Sequence, residues 1–108
     1  MQALLSYPKF TVIRPQGSLN AANALEFERD LTTALRDDSN TVLLVDLGQV
    51  ESLDSAGLMA LVSALKLAAT LQKTFRICSV SPAIRIIFEL TQLDRVFEII
   101  DTGELTNV

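Results

Sequence analysis

Hydrophobic positions along this chain follow two alternating rhythms: short apolar runs, and stretches whose apolar residues recur every three or four positions. Such alternation predicts an α/β layer fold in which helices pack on a sheet. Residues 9–14 hold Phe10, Val12 and the β-branched Thr11 and Ile13, which suit a strand. Pro8 marks a turn or a sheet edge, which makes residues 3–7 a candidate separate strand paired antiparallel. Residues 15–20, with Gly17 among them, read as a connection.

Asn20 is placed to cap a helix running to about Arg36, with Ala24, Phe27, Leu31, Ala34 and Leu35 as its buried stripe. Asp37-Asp38-Ser39-Asn40 is a polar turn that ends it. Residues 41–46 differ in kind: Val42, Leu43, Leu44 and Val45 show no alternation, as expected of a central strand covered on both faces. Residues 47–53 then read as a loop, followed by a second helix over 55–71 with the stripe Leu58, Leu61, Val62, Leu65 and Ala69. Residues 75–80 form a further strand. Ser81-Pro82 starts a third helix, with Ser as cap and Pro in the first turn, and Ile84, Ile87, Phe88 and Thr91 lie on one of its faces. A last short strand falls at 96–100. The expected product is a mixed sheet of four to five strands with parallel crossovers and helices packed on it.

At 108 residues the chain is expected to form one domain, 1–108, and its 49% hydrophobic and 20% charged residues suit a compact core. The net charge of −4, with Lys and Arg scattered singly, argues against nucleic-acid binding, which needs a basic footprint. Histidine is absent and Cys78 is the single cysteine, so zinc sets and Ser-His or Cys-His pairs are excluded together. Cys78 sits in an apolar run and reads as a buried small hydrophobe. The most membrane-like stretch, 56–71, is broken by Ser63, Lys66 and Thr70, and the first residues carry no signal-peptide pattern. A soluble, cytoplasmic, monomeric protein without cofactor is the expectation.

In such folds partners and ligands meet the loops at the carboxyl ends of the strands. There the chain delivers Asp54 and Ser55 to a helix start. Either would contribute about 1 kcal/mol as an N-cap. A serine at this place also meets free backbone N–H groups and the positive end of the helix dipole. Those would favour a phosphate by about 0.3–1 kcal/mol. A phosphoserine brings about −1.5 to −2 charges, so modification would act on a partner packed over the site more than on folding.

The chain resembles the STAS domains, and specifically the single-domain anti-sigma factor antagonists of bacteria. The resemblance rests on Gly17-Ser18-Leu19-Asn20, on Val45-Asp46-Leu47 and above all on Leu53-Asp54-Ser55-Ala56-Gly57-Leu58. Cys78-Ser79-Val80-Ser81-Pro82 and Phe88-Glu89-Leu90-Thr91-Gln92-Leu93-Asp94, leading to Phe97-Glu98-Ile99, continue it. It implies a protein that binds an anti-sigma factor serine kinase, is released when that kinase phosphorylates Ser55, and is restored by a serine phosphatase. By position, Asp54 shapes and caps the site, and Gly57 lets the partner approach. Ser18, Leu19, Asn20, Asp54, Ser55, Ala56, Gly57 and Leu58 then form the partner-binding surface. Two positions depart from the pattern: Ala56 stands where many members have a second Ser, and Asn20 where Asp is common.

Two other classes compete. An enzyme would need a base or nucleophile near neutral pKa, whereas His is absent and Cys78 reads as buried; Asp46 and Asp54 are candidate paired carboxylates, but Asp46 reads as the end of a strand. A receiver domain would need a late Lys, and none follows Lys73. A STAS-fold scaffold or ligand-binding module, with Ser55 unphosphorylated, is the alternative of the same fold. Nucleotide binding lacks a Gly-rich phosphate loop followed by Lys.

Overall fold

A computed structural model describes residues 9–100. Its elements run β1 (Phe10–Ile13), β2 (Gly17–Leu19), α1 (Ala24–Arg36), β3 (Val42–Asp46), β4 (Val50–Leu53), α2 (Ser55–Thr70), β5 (Thr74–Cys78), α3 (Pro82–Leu90), a 3-10 turn (Leu93–Arg95) and β6 (Glu98–Ile100). Four strands form one sheet in the order β1-β3-β5-β6, and β2 and β4 form a separate two-stranded sheet. Every strand pair among the described residues is parallel. The antiparallel strand expected at 3–7 and the tail at 101–108 lie outside the described residues.

The unbroken apolar run behaves as expected. Val42, Leu43, Leu44 and Val45 are all buried, and β3 sits between β1 and β5. On one face Leu43 and Val45, with Phe75 and Ile77 of β5, join the core that the three helices cover. Leu31, Leu61, Ile84 and Phe88 are almost fully buried in that core, and Phe97 packs on Phe88 with ring centres 5.3 Å apart. Side chains of this size each contribute about 1.5–3 kcal/mol on burial. Cys78 is fully buried, and burial pushes its thiol up from the ordinary value. No helix of the described residues is long and apolar enough to cross a membrane.

Four expectations need correction. The stretch 15–20 is not only a connection and 47–53 is not only a loop, because β2 and β4 pair across them. Gly17, at φ +75°, carries the irregularity in that pairing, a backbone state that suits glycine. The first helix begins at Ala24, with Asn23 in the cap position. Asn20 instead closes a turn ahead of it, its side chain accepting from Ala22 N–H at 2.9 Å. On α2 the buried residues are Gly57, Leu58, Ala60, Leu61, Ala64 and Ala68, while Ala69 is exposed and Val62 and Leu65 are half-buried. This helix packs against α1 as well as β2, β4 and β5. Finally, the last strand is shorter than 96–100: Val96 is exposed, and Phe97 turns into the core before β6 starts at Glu98.

Candidate functional site

The site is built where β2 and β4 deliver the chain to α2. Ser18 pairs with Ser52 and Leu19 with Leu53 in the two-stranded sheet, and the Ser18 and Ser52 hydroxyls are hydrogen-bonded at 2.8 Å. Asp54 N–H donates to the Leu19 carbonyl at 3.0 Å, which fixes the end of β2 against the start of α2. The Asp54 carboxylate then accepts from the N–H groups of Ala56 at 2.9 Å and Gly57 at 3.0 Å. Asp54 is therefore the N-cap, and Ser55 is the first helical residue.

That division of labour changes the electrostatic expectation. Of the backbone N–H groups at this helix start, those of Ala56 and Gly57 are already held by the Asp54 carboxylate. A phosphate would stand beside a negative charge at an exposed position, so the helix terminus offers less stabilisation than an uncapped one. Ser55 is exposed, and its hydroxyl makes no hydrogen bond among the described residues. It is chemically accessible and structurally unengaged.

The eight residues expected on the partner surface divide by depth. Ser18, Asp54 and Ser55 are exposed, and Asn20 and Ala56 are half-buried. Leu19 and Leu58 are buried, at 4% and 8% exposure, so they support the surface from beneath. Gly57 is also buried. A Cβ there would lie 2.7 Å from the Leu19 carbonyl oxygen and 2.8 Å from the Leu53 side chain. Its missing side chain lets β2 and β4 close on α2, a contact inside the molecule. Asn23, missed by sequence reasoning, braces the neighbouring turn: its side chain donates to the Ser18 carbonyl at 2.7 Å and accepts from Asn20 N–H at 3.0 Å. Met59 was missed too. It is 54% exposed one helical turn beyond Ser55, and the four-residue spacing was the signal that would have found it.

Chemistry elsewhere near these loops is spare. Asp46 ends β3, accepts from Gly48 N–H at 2.8 Å and pairs with Arg14 at 3.3 Å, which are structural tasks. No group of three His, Cys, Asp or Glu among the described residues is placed to hold a metal ion.

Comparison with known proteins agrees with this architecture. BtrV of Bordetella bronchiseptica, provisionally assigned as an anti-sigma factor antagonist, is 29% identical over 89 residues, covering 82% of this chain and 76% of that protein. The crystal structure of TM1081 from Thermotoga maritima, with the same provisional assignment, superposes with a TM-score of 0.82 at 27% identity, covering 91% of this chain and 85% of that one. The anti-sigma factor antagonist SpoIIAA in its unphosphorylated form shares the fold with a TM-score of 0.71 at 17% identity, covering 98% of this chain and 92% of that one. The sequence matches the STAS domain over residues 3–105, and the chain belongs to that family.

Proposed function

We propose that this protein is an anti-sigma factor antagonist that works by partner switching, as one STAS unit over 1–108. Unphosphorylated, it binds an anti-sigma factor that is also a serine kinase; phosphorylation of Ser55 releases it, and a serine phosphatase restores it. The observation that carries the reading is the exposed, unengaged Ser55 hydroxyl directly after an Asp54 that already caps the helix. Relatives assigned as anti-sigma factor antagonists support the partner class. A phosphate at this exposed place adds about −1.5 to −2 charges without displacing any buried group, so its cost falls on whatever packs over Ser18, Asn20, Ser55 and Met59. Desolvating that charge opposes association.

The test is calorimetry of the unmodified and the phosphorylated protein against an anti-sigma factor kinase encoded in the same genome. The proposal expects phosphorylation to weaken binding at least tenfold, which corresponds to about 1.4 kcal/mol. Equal affinity of the two forms would remove the switch.

A further inference from the structure

Helix α3 turns Ile84 and Phe88 into the core and carries Ile86 and Leu90 on its other side, where they are 53% and 80% exposed. Spaced by four residues, the two form one stripe along the helix. Val96, also exposed, follows the 3-10 turn that packs on α3. Three of the seven large hydrophobics exposed among the described residues therefore belong to one small region, whereas scattered single ones are ordinary. The charges beside the stripe are arranged against their own helix. Arg85 lies in the N-terminal half of α3 and Glu89 in its last turn, so both oppose the helix dipole. Their four-residue spacing has the less favourable order, basic before acidic. Among the described residues neither makes an ion pair.

We propose that this face of α3 is a self-association surface, on which a second copy of the chain lays its own α3 antiparallel across a two-fold axis. Arg85 and Glu89 each precede a residue of the stripe by one position, so they share one flank of it. A two-fold axis between antiparallel helices keeps that flank on the same side in both copies, so Arg85 of one copy faces Glu89 of the other, twice. The same arrangement sets Ile86 against Leu90 and brings each charge near the helix end of the other copy that favours it. A nine-residue helix covers far less than the about 1,200–2,000 Å² of a stable interface, so the dimer is weak and forms at high protein concentration. The contact uses none of the residues around Ser55 and stands independently of the partner-switching reading.

The test is sedimentation equilibrium of the full chain, of Arg85→Glu, of Glu89→Arg, and of an equimolar mixture of the two variants. The unmodified chain should show a mass that rises toward that of a dimer as its concentration approaches the millimolar range. Each single reversal sets like charges opposite each other and should weaken association at least tenfold. The mixture restores opposite charges across the contact and should recover the association as a heterodimer. Both positions are exposed, so each variant should keep the circular dichroism of the unmodified chain. A monomer mass at every concentration, a dimer indifferent to the single reversals, or a mixture no more associated than its components would overturn the proposal.

Discussion

Helices α2 and α3 both begin just after a parallel strand has ended, and both have a serine at the start, yet the two serines are used in opposite ways. In α3 the serine is the cap: Ser81 Oγ accepts from Ile84 N–H at 3.2 Å, and Pro82 follows in the first turn. In α2 the cap is Asp54, which holds two backbone donors, and the serine comes one residue later with its hydroxyl unengaged. A one-residue offset separates a serine that maintains the fold from one that the fold can do without. Availability for modification at a helix start thus depends on whether another side chain has taken the capping task.

This contrast can be broken most forcefully at Gly57, which holds the α2 start against β2. Gly57→Ala places a Cβ against the Leu19 carbonyl, and overpacking of that kind costs about 1–3 kcal/mol. Better helix propensity offsets at most about 1 kcal/mol of it. The expected result is a clear fall in the urea midpoint. An unchanged midpoint would show that β2 and α2 are not locked together.

The two caps come next. Asp54→Ala and Ser81→Ala should each lower stability by about 1 kcal/mol, read from the same urea curves. A neutral Ser81→Ala would make the two serines equivalent and dissolve the comparison. The smallest effect is expected at Ser55: Ser55→Ala and Ser55→Asp should both stay within about 0.5 kcal/mol of the unmodified protein by thermal melting. A large loss in either would mean that Ser55 has a structural task after all.

Much of this was legible in the residues themselves. The uninterrupted run from Val42 to Val45 announced a strand buried on both faces, and Ser81-Pro82 announced the start of α3. The position of Asp54 and Ser55 at a helix start was also readable, but which of them capped it was not, because either side chain can do so. The β2–β4 pair escaped because strands of three and four residues, one of them irregular at Gly17, leave no alternation to detect. On α2, apolar residues occupy most of the circumference, so periodicity could not select the face bearing Ala60, Ala64 and Ala68. The elements packed around it, α1 and the strands β2, β4 and β5, decide that. The inward role of Gly57 likewise depends on a strand that sequence reasoning did not see.

The central claim is that Ser55 is a phosphoacceptor while Ser81 is a cap. Intact-mass measurement tests it after incubation with the anti-sigma factor kinase proposed as its partner and ATP, applied to the unmodified chain, to Ser55→Ala and to Ser81→Ala. The account predicts one added phosphate on the unmodified chain and on Ser81→Ala, and none on Ser55→Ala. An undiminished phosphate load on Ser55→Ala would contradict it.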